Sequence, residues 1–304
     1  MRLQGIFSRP AAIRLASLLS RHAPAGVART VARWTAATLI RAQPQVVRIV
    51  QTNLAQALGL EVGADEVRQR AGQVFYHFVL GYIDFFRSLR LSQEEIRQLI
   101  HVPEALRTEL SSEAVAERGL VLIVSHTGNF DLAGRIMTLY APDVQVISLP
   151  DPHRGFQALN ELRRQTGVRV TPLGPAALRQ ALKTLRAGGV LATGGDRPVS
   201  HLDKPVPFFG RPAHMPSGHV RLALKTGAAV VVCGCVYHAD RGRYAVEMAG
   251  EPLEMIRTGS PEEDVDINMR RVLDLLETLI QRWSDQWMMF VPVWPEPFEE
   301  ASFQ

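Results

Sequence analysis

A chain of 304 residues, 46% hydrophobic and 21% charged, can bury a core large enough for one sizeable domain or two small ones. Its two cysteines are too few for a disulfide framework or a zinc site. The net charge of +4 is unevenly spread: residues 1–60 hold eight arginines (2, 9, 14, 21, 29, 33, 41 and 48) and no Asp or Glu, so the rest carries −4, which argues against a nucleic-acid-binding protein.

The basic segment has helical periodicity, with apolar residues at Leu15, Leu18 and Leu19, then Val27, Val31 and Trp34, then Val47, Val50, Leu54 and Leu58. Arginine on one face and aliphatic side chains plus Trp on the other suit an interfacial helix at an anionic lipid surface. This predicts a membrane-facing helical extension over residues 1–62, ahead of a main domain over 63–304. Two other readings stay open: helices packed on the domain with solvated arginines, and a mitochondrial transit peptide, against which the long amphipathic run argues. Arg14, Arg21, Arg29 and Arg33 interrupt every candidate for a membrane-spanning helix.

Residues 64–99 read as helical, and the aromatics Phe75, Tyr76, Phe78, Tyr82, Phe85 and Phe86 form either core or the lining of an apolar groove. Beyond 119 the pattern alternates. Strands are expected at 119–125, 144–149, 168–172, 189–193, 228–237 and 243–249, and helices at 129–140, 154–166, 175–187, 216–226 and 262–286. Such alternation implies an α/β fold with a mostly parallel central sheet flanked by helices. Cys233 and Cys235, two apart on the strand at 228–237, share a face, are poorly placed to bond each other, and fit core positions in a reducing compartment.

The richest stretch is Gly119 to Asp131. Leu120 to Val124 is short, apolar and β-branched, the pattern of a strand buried on both faces. Polar residues begin where it ends, and Gly128 and Asn129 supply a turn and a helix N-cap. His126 therefore stands at a strand's carboxyl end, where open α/β sheets bind ligands. Along a regular helix five residues separate two side chains by about 140°. His126 and Asp131 can thus meet only if the turn folds back. In that arrangement the Asp131 carboxylate orients the imidazole, and the ring's other nitrogen can take a proton from a hydroxyl.

A second cluster, Gly194-Gly195-Asp196-Arg197, closes another apolar strand. Arg197 suits a phosphate or a developing oxyanion, with Asp196 to orient it; a turn-stabilising pair is the plainer reading. The helix N-terminus at Asn129 is an alternative oxyanion site. Phe209 and Arg211 belong to a proline-bounded turn, 207–218, that would floor an acyl pocket or simply connect two elements. Arg154 is a candidate for donor or acceptor phosphates, or a solvated helix-start arginine.

Three motifs in order resemble the bacterial lipid A late acyltransferases and their mycobacterial phosphatidylinositol mannoside acyltransferase relatives: His126-x4-Asp131, the strand-end Asp196-Arg197, and the Phe-Phe-Gly-Arg-Pro-Ala turn at 208–213. A Gln-Trp ending, Gln286-Trp287, accompanies them. The resemblance implies a glycerolipid-acyltransferase-like fold and acyl transfer from acyl-CoA or acyl carrier protein to a hydroxyl of a membrane glycolipid. It implies His126 as general base, no acyl-enzyme and no cofactor, and a peripheral place on the cytoplasmic side of the inner membrane. The residues agree, since the chain has no Gly-x-Ser-x-Gly elbow. The chain departs from the Glu-Gly-Thr-Arg block of the related glycerolipid acyltransferases, which points away from a glycerol-phosphate acceptor. Two other classes compete: a metal-dependent hydrolase with His126, Asp131, Asp196, His201 and Asp203 as ligands, whose spacing matches no zinc signature, and a non-catalytic lipid carrier.

Overall fold

The computed structural model describes residues 10–20, 23–141, 143–152, 154–200 and 203–294. Arg2, Arg9, Arg21 and His201 lie outside them. Three basic helices come first: α1 (Pro10–Ser20), α2 (Ala25–Ala42) and α3 (Gln45–Leu58). The helical stretch expected over 64–99 is two helices, α4 (Asp65–Ser88) and α5 (Gln93–Leu99). The break has a local cause, because Ser92 and Glu95 close a capping box that starts a new helix.

Strand β1 (Ile100–His101) and helices α6 (Glu104–Leu110) and α7 (Glu113–Arg118) precede the alternating region. That region runs β2 (Leu120–Gly128), α8 (Phe130–Met137), β3 (Val144–Ser148), α9 (Arg154–Arg164), β4 (Arg169–Pro172), α10 (Pro175–Arg186) and β5 (Val190–Gly194). A hairpin of β6 (Val206–Phe208) and β7 (Arg211–Ala213) leads into α11 (Gly218–Thr226). The chain closes with β8 (Ala229–His238), β9 (Arg243–Met248) and α12 (Pro261–Arg282). The hairpin occupies the stretch expected as a turn, and three-residue strands around two prolines carry too little alternation to be read from sequence.

The main sheet has the order β1-β9-β8-β2-β5-β3-β4. Strands β8, β2, β5, β3 and β4 are mutually parallel, and β9 is antiparallel to β8. Alternate residues of β2 feed two cores. Val121 and Ile123 pack with α3, α10, α11 and α12, whereas Leu120 and Leu122 pack with α8 and its neighbours. Both faces are covered, which is why the strand reads as an unbroken apolar run.

The three amphipathic helices behave differently from one another. Val47, Val50 and Leu54 of α3 are buried in the main core, where Asn53 bonds the carbonyls of Met289 and Val291. On α1 and α2 the apolar face points outward instead: Leu15, Leu18, Leu19, Val27 and Val31 are exposed, and Trp34 is 69% exposed. The inner face of α2 is a stripe of small residues, Ala28, Ala32 and Ala36, packed on α4. Among the described residues no helix is long and apolar enough to cross a membrane.

Candidate active site

The ladder between β2 and β8 is interrupted after Val124 and resumes at Gly128. The polar residues Ser125 to Thr127 lie in this irregularity, at the carboxyl edge of the parallel strands. Gly128 closes it with φ +68°, and a Cβ there would come within 2.0 Å of the Cys235 carbonyl oxygen. Only glycine fits. The Asn129 backbone N–H bonds the Cys235 carbonyl, and its side chain accepts from the Leu132 N–H to cap α8.

His126 is the centre of what this turn builds. Its Nδ1 lies 2.6 Å from Oδ1 of Asp196, and its backbone N–H donates to Oδ2 of the same carboxylate at 2.7 Å. The indole N–H of Trp287 donates to Oδ2 as well, at 2.8 Å. Asp196 is fully buried. Burial alone would raise its carboxyl, but the facing His126 and these three hydrogen bonds outweigh it and hold the carboxyl below the ordinary range. An ionised Asp196 fixes the proton on Nδ1. In the neutral ring the second nitrogen is then the free acceptor, and the ring lines a cavity of about 920 Å³. Gly194 leaves room for it, since a Cβ there would sit 2.8 Å from Cε1 of the imidazole.

Asp131 therefore does not orient His126, contrary to the sequence expectation. Its carboxylate takes a two-pronged ion pair from Arg163 of α9, Nε to Oδ1 at 2.5 Å and Nη2 to Oδ2 at 3.3 Å. Asp131 sits in the first turn of α8, in direct contact with α9 through this pair, and Arg163 also lies over the Phe130 ring, 5.8 Å from its centroid. The Phe130 ring in turn meets the imidazole edge-on at 5.4 Å. Asp131 and Arg163 both line the cavity beside His126, as does Tyr82, whose hydroxyl is pushed up by burial and by the Asp131 charge.

The remaining expected site residues divide. Arg197 lines the cavity. Asn129 lines it too, but its amide is committed, accepting from Leu132 and donating to the Gly81 carbonyl at 2.8 Å; it positions the turn rather than a substrate. Arg154 is exposed at the start of α9 and is absent from the lining. Phe209 and Arg211 are absent from it as well. Phe209 packs on Trp287 and Trp294, so the β6–β7 hairpin supports the indole that holds Asp196 and does not floor the pocket.

Two residues that matter were missed. Arg163 is one of two adjacent arginines on a helix, and nothing local distinguishes it. Trp287 was visible only as part of the chain's Gln-Trp ending. Of the expected aromatic lining, Phe78 and Tyr82 face the cavity, while Phe75, Phe85 and Phe86 are core. Cys233 and Cys235 are buried, and burial pushes Cys233 up to about 12 and Cys235 higher still, so neither is an activated nucleophile. Among the described residues no three His, Cys, Asp or Glu side chains come together as a metal ion needs.

A parallel-sheet fold, an imidazole oriented by a buried carboxylate, and a large, mostly apolar cavity beside it together have the chemistry to activate a hydroxyl or water next to an apolar substrate. The chain matches the bacterial lipid A biosynthesis acyltransferase family over residues 12–296. It belongs to that family and is an acyltransferase. It is similar to phosphatidylinositol mannoside acyltransferases of Mycobacterium tuberculosis. The likeness to the protein of strain CDC 1551 / Oshkosh is 24% identity over 259 residues, covering 83% of this chain and 78% of the relative. The protein of that name from Mycolicibacterium smegmatis is 31% identical over 132 residues, 41% of this chain and 42% of its own length.

Proposed function

We propose that the protein moves a fatty acyl group from a thioester, acyl-CoA or acyl carrier protein, onto a hydroxyl of a membrane glycolipid, with His126 as general base and no acyl-enzyme. The observation that carries this reading is the His126 ring held between Asp196 and the cavity. The acceptor hydroxyl loses its proton to Nε2 as its oxygen bonds the thioester carbonyl. The tetrahedral oxyanion then collapses, the C–S bond breaks, and the thiolate leaves with the proton returned from the imidazolium. Asp196 stabilises that imidazolium without taking its proton. The backbone amides of Phe130 and Asp131 open the first turn of α8, close in the chain to His126, and offer donors to the oxyanion.

The acyl chain fits the apolar arm of the cavity, which passes beneath α8 and is lined by Leu122, Ala133, Gly134, Met137, Val168, Ala192 and Cys233. The glycolipid acceptor is supported by the family and by the mycobacterial relatives. Exposed Leu19 and Trp34, on helices bearing Arg14, Arg29 and Arg33, give α1 and α2 the chemistry to rest on an anionic bilayer. A thioester-consumption assay with purified protein, palmitoyl-CoA and a mannosylated phosphoinositide tests the role assignment. His126→Ala is expected to lower kcat by about 10² to 10⁴-fold with an unchanged circular-dichroism spectrum. Near-wild-type turnover in that variant would overturn it.

A further inference from the structure

The cavity has a second arm, chemically unlike the apolar one. Its wall is made by the exit of β5, at Thr193, Gly194 and Arg197, and by the first turns of α10 and α11, at Gly174, Pro175, Ser217, Gly218 and His219. Both helices cover the same face of the sheet and start at the carboxyl edge of the parallel strands, so their positive ends open on the same side. Gly174 and Gly218 stand at those helix starts with nothing within 4 Å of where a Cβ would be, so no side chain crowds the approach to the backbone there.

Two side chains there lack partners. Arg197 makes no hydrogen bond among the described residues, and the charge facing it, Asp196, is already committed to His126 and Trp287. A guanidinium in that position leaves five donors unused. His219, in the first turn of α11, is 3% exposed, and its Nε2 has no partner. Burial lowers its pKa to about 4, so the ring is neutral and offers one N–H. A buried polar atom without a partner is costly, and a ligand atom there would recover that cost. The wall also carries a carboxylate, Asp203, faced by the charges of His214 and Arg221. The Ser217 hydroxyl accepts from Arg221 and is engaged.

We infer that this arm binds a phosphate group, gripped by the Arg197 fork, the amides at the start of α11 and the His219 N–H. The chemistry is that of phosphate at a helix N-terminus with an arginine to fix its orientation. Which phosphate it is rests on the acyl-transfer reading above. The two sources are the phosphates of the thioester donor and the phosphodiester of the acceptor headgroup.

Two measurements separate the outcomes. The first is independent of turnover: inorganic phosphate, compared with chloride at equal ionic strength, is expected to raise the Tm of the wild-type protein and not that of Arg197→Ala. No phosphate effect on the wild type, or an equal effect on Arg197→Ala, overturns the inference even if acyl transfer is established. The second compares kcat/KM for palmitoyl-CoA and for S-palmitoyl-N-acetylcysteamine, each with a mannosylated phosphoinositide and with octyl mannoside. Arg197→Ala is expected to lose about 100-fold, mainly through KM, when the relevant phosphate is present and under about threefold when it is absent. Arg197→Lys and His219→Asn should fall between. A penalty that vanishes with the phosphate-free donor assigns the site to the donor, and one that vanishes with octyl mannoside assigns it to the acceptor. A penalty that survives both replacements overturns the inference. Failure of the wild type on every pair would instead sink the acyl-transfer reading and leave the phosphate site to the Tm measurement.

Discussion

The Trp287 indole makes one hydrogen bond, to the Asp196 oxygen that also receives the His126 backbone N–H. Asp196 is held ionised against the cost of burial by the facing imidazole and by these donors. Removing one donor raises the carboxyl. In Trp287→Phe the acid limb of kcat/KM is therefore expected to move to higher pH, measured as a shift of the apparent pKa with the plateau largely retained. Asp196→Asn goes further, because an amide cannot hold the same tautomer or balance the imidazolium, and a fall in kcat of about 10²-fold or more is expected. Asp131→Asn acts through a different partner. It leaves the buried Arg163 without its counter-charge, so it is expected to destabilise the protein by about 3 kcal/mol in urea unfolding. If Asp131→Asn were as stable as the wild type, its ion pair with Arg163 would not be structural.

At the scale of elements, α8 does two jobs. Its N-terminus is pinned at Asn129 beside His126, and its underside roofs the apolar arm of the cavity. Gly134 lies mid-helix, where glycine costs about 1 kcal/mol relative to alanine. A Cβ at that position would meet only Val168, at 3.6 Å. Its small size keeps the arm open between α8 and the sheet. Gly134→Leu is therefore expected to shorten the preferred acyl chain by several carbons, read by mass spectrometry of products from a mixed set of acyl-CoAs. Unchanged chain-length preference would place the acyl group elsewhere. The β6–β7 hairpin works more remotely, since its Phe209 packs on the indole that fixes Asp196.

On the whole molecule, two features have global readouts. The outward apolar faces of α1 and α2 predict that Leu19→Glu and Trp34→Glu weaken co-sedimentation with vesicles containing anionic lipid, with little change in Tm because both side chains are already exposed. Second, His77, half-buried, and His219, buried, are both lowered by desolvation from 6.5 to about 4 and are neutral at pH 7. Below pH 6.5 the unfolded chain takes up protons that the folded chain refuses until about pH 4. Stability from these groups is thus complete above 6.5 and is lost as pH falls toward 4, at roughly 1.4 kcal/mol per pH unit for each. The carboxyls of Asp84, Asp203 and Asp285, raised by burial, work in the opposite direction. The clean comparison is His77→Gln against wild type at pH 7 and 5.5. The variant should lose about 1.2 kcal/mol less on acidification, and equal losses would mean that His77 is solvated.

What the sequence determined by itself is what depends on neighbours along the chain. The apolar run of β2, the polar turn after it, the Asn129 cap and the alternation of strands and helices are local patterns of period and punctuation, and they placed His126 at a sheet edge. The partner of His126 was not legible, because it is set by strand pairing. Val124 lies opposite Gly194, so two residues further along each strand His126 meets Asp196, seventy residues away. Asp131, only five residues away, turns with the helix toward Arg163. The fate of the basic helices was likewise decided only by packing. The same periodicity marks α1, α2 and α3, and the folded core had room to bury the apolar face of α3 alone, since Ala28, Ala32 and Ala36 give α2 a second, small-residue face against α4 that frees its larger side chains to point outward.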